Sequence, residues 1–103
     1  MMYLVERTDD FDKWLKKLRD KTAIARIVTR IKKIELGILG EVKPLKDKLC
    51  EIKLDYGPGY RLYYTKRGDL IILLIIGGDK STQERDIKKA KELLKKMELN
   101  NEK

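Results

Sequence analysis

Apolar residues recur along this chain with two different periods, and the change from one to the other separates a largely helical first half from a stranded stretch and a closing helix. Residues 2–6 read as a short strand. Thr8 can cap the helix that follows, in which Phe11, Trp14, Leu15 and Leu18 recur at i, i+3, i+4 and i+7, the spacing of one buried face. Asp20 or Thr22 opens a second helix. Its apolar stripe is Ile24, Ile27, Val28, Ile31 and Ile34, with Arg26, Arg30 and Lys33 along another side and Gly37 at the end. Two adjacent amphipathic helices predict a hairpin. Residues 41–45 are weakly extended and contain Pro44, whose missing N–H suits an edge strand or a loop.

From residue 49 the period becomes two. Cys50, Ile52, Leu54 and Tyr56 alternate with Glu51, Lys53 and Asp55, as in a half-buried strand, and Gly57-Pro58-Gly59 reads as a turn. Residues 60–66 return as a second strand. A third, residues 70–76, is apolar on both faces and is expected inside the sheet. Gly77 and Gly78 read as a strand break, and Ser81 with Glu84 has capping-box spacing. Ile87, Ala90, Leu93, Leu94 and Met97 give the last helix its buried side. The expected architecture is α+β, in the order β-α-α-β-β-β-α, with an antiparallel sheet packed against helices. One domain is expected over residues 1–98, with a frayed tail at 99–103.

Composition narrows the chemistry. The 103 residues include no histidine and one cysteine, so His-based triads, Cys-His pairs, His-ligated metals and an internal disulfide are excluded. Catalysis would run on Lys, Arg, Tyr and carboxylates, and no cofactor or metal is implied. Cys50 reads as a small core residue. No apolar run is long enough for a membrane span and no signal peptide is visible, so a cytoplasmic location is expected. The net charge is +8, of which residues 21–48 carry +5, from eight basic and three acidic side chains. That excess suits a polyanionic partner, nucleic acid or an acidic protein, and equally a solvated helix face.

Local motifs are more specific. Gly57-Pro58-Gly59-Tyr60-Arg61-Leu62-Tyr63-Tyr64, then the apolar strand, then Gly77-Gly78-Asp79-Lys80-Ser81-Thr82-Gln83 and Asp86-Ile87, resemble the RelE/ParE superfamily, in its addiction module killer (HigB-like) branch. Phe11, Trp14, Leu15 and Leu18, with Arg26, Ile27, Arg30 and Ile31, fit as well, so the resemblance covers nearly the whole chain. It implies the toxin of a type II toxin–antitoxin pair, whose partner is a cognate helix-turn-helix antitoxin and which meets operator DNA only through that complex. RelE-like members cleave mRNA at the ribosome without a metal, using the RNA's own 2′-hydroxyl as nucleophile. ParE-like members poison DNA gyrase instead, and a degenerate member would only bind its antitoxin.

Such a cut needs the 2′-hydroxyl deprotonated, the phosphorane charge stabilised and the 5′-oxygen protonated. If Gly57-Pro58-Gly59 is a three-residue loop, Tyr56 faces Tyr60, Asp55 faces Arg61 and Lys53 faces Tyr63. Lys53, Arg61 and Tyr63 then share the sheet face opposite Ile52, Leu54 and Leu62, expected to be polar and open to substrate. The resemblance places Lys53 on a catalytic lysine, Arg61 on a phosphate-clamping arginine and Lys80 on a further basic residue. Glu51 stands where a nuclease has another lysine, and Asp86 falls near a tyrosine used in stacking and proton transfer. These readings make Lys53 or Glu51 the proton-transfer group, Arg61 the clamp, Lys80 a charge stabiliser, and Tyr63, Lys66, Arg26, Arg30 and Lys33 candidate RNA contacts. No clear donor for the leaving group emerges. The plainer alternatives are an Arg61–Asp55 surface pair, a solvent-facing Lys53, a turn role for Lys80, a capping role for Glu84, and packing for Tyr56, Tyr60 and Tyr64.

Overall fold

The computed structural model describes residues 2–101; Met1 and the last two positions of the expected tail, 102–103, lie outside them. In chain order the elements are β1 (Leu4–Arg7), α1 (Asp9–Lys17), α2 (Lys21–Glu35), β2 (Val42–Pro44), β3 (Cys50–Leu54), β4 (Tyr60–Arg67) and β5 (Ile71–Gly78). A single 3-10 turn (Lys80–Thr82) then leads into α3 (Gln83–Asn101), which continues past Leu99. The α+β architecture is the expected one, with a short edge strand, β2, at the ambiguous Pro44 segment. Strands run in the order β1-β5-β4-β3-β2. Strands β2 to β5 form the expected antiparallel meander, but β1 joins β5 in parallel, so the sheet is mixed.

Caps set the helix starts. Thr8 Oγ1 accepts the Phe11 N–H at 3.0 Å and donates to the Ile75 carbonyl at 2.6 Å, tying α1 to the sheet. Asp20, and not Thr22, caps α2, accepting from the N–H groups of Thr22 and Ala23. Ala23, Ile27, Ile31 and Ile34 form the buried stripe of that helix, while Val28 stays exposed. Gly37, at φ 86°, supplies the left-handed residue after its end.

The sheet is covered on both faces. Against α1 and α2 lie Ile52, Leu54, Tyr60, Leu62, Tyr64, Ile72 and Leu74, with Phe11 of α1 fully buried among them. Against α3 lie Leu49, Tyr63, Leu73, Ile75 and Ile76, packed on Ala90 and Leu94. A bulge in β5, opposite the step from Tyr63 to Tyr64, shifts the register by one residue and puts both Ile75 and Ile76 on the α3 side.

Gly77 and Gly78 continue β5, against the expected break, and pair with Leu62 and Arg61. Each leaves room on a different face. A Cβ on Gly77 would meet the Trp14 indole of α1, and one on Gly78 would meet the Asp86 carboxylate of α3. Their place in the strand is thus a matter of close approach from both layers. The helix that follows is not capped by Ser81 with Glu84. Asp79 accepts from the Ser81 N–H at 2.8 Å and forms a capping box with Thr82, which starts the 3-10 turn two residues earlier.

Candidate functional site

The β3–β4 hairpin places the charged candidates. Strand β3 stops at Leu54, and residues 55–59 form a five-residue loop in which Gly57 and Gly59 take φ values of 56° and 78°. The pairs are therefore Leu54 with Tyr60, Lys53 with Arg61 and Glu51 with Tyr63. This corrects the expected partners by two residues. A shift of two preserves the faces, so Lys53, Arg61 and Tyr63 do share one side, and Glu51 joins them.

That side is not open. Tyr63 is 0% exposed, Glu51 5% and Arg61 6%, because the start of α3 lies across them, and Asp86 of that helix is 4% exposed. Arg61 does not pair with Asp55. Its Nε lies 3.7 Å from Glu51 Oε1, and its terminal nitrogen donates to the Gly59 carbonyl at 2.7 Å. Gln83 donates to the other Glu51 oxygen at 2.8 Å, and Thr82 donates its hydroxyl to Asp86 at 2.5 Å. Two carboxylates and one guanidinium are thus held in a largely dry layer, Glu51 paired with the buried Arg61 and Asp86 with the exposed Arg85, whose Nε lies 3.7 Å from it.

Tyr63 stands beside this cluster with a buried hydroxyl that has no hydrogen-bond partner among the described residues. Burial pushes its phenol well above the usual tyrosine range, and the Glu51 and Asp86 charges add to that. In this conformation its ring cannot stack on a base, which corrects its reading as an RNA contact.

The exposed cations are elsewhere. Lys53 pairs with Asp55 at 3.5 Å and keeps 48% of its side chain in solvent. Lys80 is exposed in the 3-10 turn, its N–H 3.4 Å from the Pro58 carbonyl, which brings the turn against the hairpin loop. Gly59 separates Lys80 from Arg61: a Cβ there would lie 3.2 Å from the Arg61 terminal nitrogen and 3.5 Å from Lys80 Cβ. Lys53, Arg61 and Lys80 therefore gather at one end of the sheet. Lys66 does not join them. It pairs with Ile72 at the other end of β4, about 16 Å of strand from Arg61, with its ammonium 5.3 Å from the Tyr3 ring.

Arg26, Arg30 and Lys33 come together with Lys53 along an open cleft of about 560 Å³ between α2 and β3, which Tyr56, Glu41 and Asp55 also line. Arg26 lies over the Tyr56 ring at 4.5 Å, and the Tyr56 hydroxyl donates to Asp20 at 3.2 Å. Tyr56 packs against the edge of the α1–α2 core, as strand parity predicts, and its ring also faces the cleft. The residue lies two positions beyond the end of β3, which leaves it half-buried and able to carry Arg26 as well. Sequence alone assigns no role to Gln83, which only ends the motif at 77–83, or to Glu41, which stands in none. Tyr60 and Tyr64 are buried against α1 and α2 as expected, and Cys50 is half-buried beside them.

Two solved structures share this fold. The Escherichia coli toxin RelE, solved free with two arginines replaced by alanine, matches with a TM-score of 0.66 at 22% identity, covering 82% of this chain and 90% of that one. The conserved hypothetical protein HP0894 of Helicobacter pylori matches with a TM-score of 0.55, also at 22% identity, over 79% of this chain and 97% of that one. The chain thus has the RelE-type fold. A Haemophilus influenzae protein, described as uncharacterized, is 40% identical over 99 residues, 96% of this chain and 100% of its own length, and the chain belongs to the family of that protein. No family model matches the sequence. Among the described residues no helix is long and apolar enough to cross a membrane.

Proposed function

We propose that this chain is the toxin of a type II toxin–antitoxin pair, of the HigB-like branch, and that it inhibits translation as a ribosome-dependent mRNA endoribonuclease in the cytoplasm. The observation that carries the reading is the convergence of Lys53, Arg61 and Lys80 at one end of a RelE-type sheet. Lys53 is the exposed group placed to assist deprotonation of a 2′-hydroxyl. Lys80 and Arg61 supply the positive charge that a phosphorane needs, Arg61 once a phosphate competes with Glu51 for it. A cognate helix-turn-helix antitoxin, encoded beside it, would hold the activity in check.

A second reading has its own support. The Arg61–Glu51 pair under α3 is what a binding-only toxin, such as a gyrase poison, or an inactive antitoxin-binding module would retain for stability. Inducing wild type and Lys53→Ala in cells without antitoxin, while mapping new mRNA 5′ ends and growth, separates the readings. Growth arrest with ribosome-phased cuts that vanish in Lys53→Ala is the expected result. Arrest without cuts would exclude the nuclease, and no arrest from folded protein would leave the binding module.

A further inference from the structure

The cleft between α2 and β3 has no part in the chemistry above except through Lys53. Arg26, Arg30 and Lys33 stand at i, i+4 and i+7 of α2, on one side of the helix over about 10 Å. With Lys53 they put four cations in the cleft against two acids, Glu41 and Asp55, a net charge of +2. All four lie outside the buried cluster, in an open cleft where an anion can reach them.

Two of the cations are held in place. Arg26 lies over Tyr56, so its face is occupied and its N–H edge is free to donate in the ring plane. Arg30 packs against Gly40, which sits at φ 69°. A Cβ there would come within 2.6 Å of the Arg30 terminal nitrogen, so the bare backbone makes room for the guanidinium. That arginine reaches the Lys53 carbonyl at 3.4 Å, and its Nε is buried with no hydrogen-bond partner among the described residues. An ordinary solvated helix face leaves its arginines free to move. Here stacking and backbone contact preorganise them, as recognition of successive anionic groups requires.

From this geometry we infer that the α2–β3 cleft is a phosphate track for single-stranded RNA, delivering the strand by way of Lys53 to the Arg61 and Lys80 end of the sheet. The choice of RNA rests on the function proposed above, and Lys53 is the link, because it lines the cleft and stands opposite Arg61 across the hairpin. Contacts of this kind fix the position of a strand without reading its sequence.

The test is binding of a short single-stranded RNA, made uncleavable by 2′-O-methylation, measured by fluorescence anisotropy across a salt series. Arg26→Gln/Arg30→Gln/Lys33→Gln is compared with Lys88→Gln/Lys89→Gln/Lys96→Gln, which removes the same charge from exposed positions of α3. Loss of three phosphate contacts should weaken binding about tenfold or more and flatten the slope of log affinity against log salt by about 2, while the α3 variant stays near wild type. Glu41→Gln, which removes an acid from the cleft, should tighten binding. Equal losses in the two triple variants would overturn the track in favour of net charge. RNA binding unchanged in a folded cleft variant that loses an acidic peptide instead would overturn it in favour of a protein site. If RNA binds through the cleft and natural mRNA is never cut, the track stands and the nuclease reading falls. If mRNA is cut equally by wild type and cleft variant, the reverse holds.

Discussion

The two layers that flank the sheet hold arginines under opposite conditions. On the α2 side, Arg26 and Arg30 line an open cleft, one stacked on Tyr56 and the other lodged against Gly40. On the α3 side, Arg61 is tied to Glu51 and the Gly59 carbonyl beneath a helix that also brings Asp86. The same side chain is a ready anion receptor in the first setting and a structural counter-ion in the second. Fold similarity alone does not distinguish the two, but burial and the partner set do.

The largest expected effect comes from breaking the buried side of that contrast. Arg61→Ala leaves the buried Glu51 without its cation, while Asp86 keeps the exposed Arg85 3.7 Å away, and should cost about 3 kcal/mol in urea unfolding followed by circular dichroism. Arg61→Met with Glu51→Gln, which removes charge from both partners, should recover more than half of that loss. If Arg61→Ala unfolds like wild type, the guanidinium does not support the fold and the contrast disappears. The result also bears on function, because growth arrest lost in Arg61→Ala would reflect instability as readily as chemistry.

Tyr63 tests the same layer more gently. Its hydroxyl is buried without a partner, so Tyr63→Phe should raise stability by about 1 kcal/mol at neutral pH. The pH dependence has a definite direction. Burial, then the Glu51 and Asp86 charges, raise the folded phenol above its ordinary 10.0, so its titration takes nothing from stability below pH 10.0 and lowers it as pH climbs from there toward the folded value. Tyr64 and Tyr60 shift the same way, chiefly through burial. Wild type should therefore weaken steeply in alkali, and Tyr63→Phe less so, when urea midpoints at about pH 8 and about pH 11 are compared. Equal alkaline losses in the two proteins would mean that the ring is not desolvated in solution.

Periodicity made the elements legible because it reports which side of an element is apolar. Ile27, Ile31 and Ile34 in α2, and Ile52 and Leu54 in β3, needed no further information. The facing of Lys53, Arg61 and Tyr63 was legible too, since strand parity survives an error of two residues in the loop. What lay over that face was not. The two-sided apolar character of β5 implied a layer on each side, and the Ile87, Ala90 and Leu94 stripe could supply the second. Its closure over Arg61, however, depends on Gly78 making room for Asp86, and a glycine in sequence reads first as a strand end. The basic cleft joins α2 to β3 across 20 residues or more of chain, a proximity that only the folded sheet creates.

The smallest stability effect should come from Lys53, and that smallness is its use. Lys53 and Asp55 lie 3.5 Å apart with 48% and 82% of their side chains exposed, a pair worth at most about 0.5 kcal/mol. Lys53→Ala should therefore unfold within that margin of wild type. If the lysine assists deprotonation of a 2′-hydroxyl, the same variant should slow mRNA cutting on isolated ribosomes about a hundredfold or more. A large kinetic loss in a protein of undiminished stability would assign Lys53 to the reaction and leave Arg61 in both roles. Full cutting by Lys53→Ala would remove the exposed half of the proposed site, leaving only cations that are buried under α3 or confined to the turn.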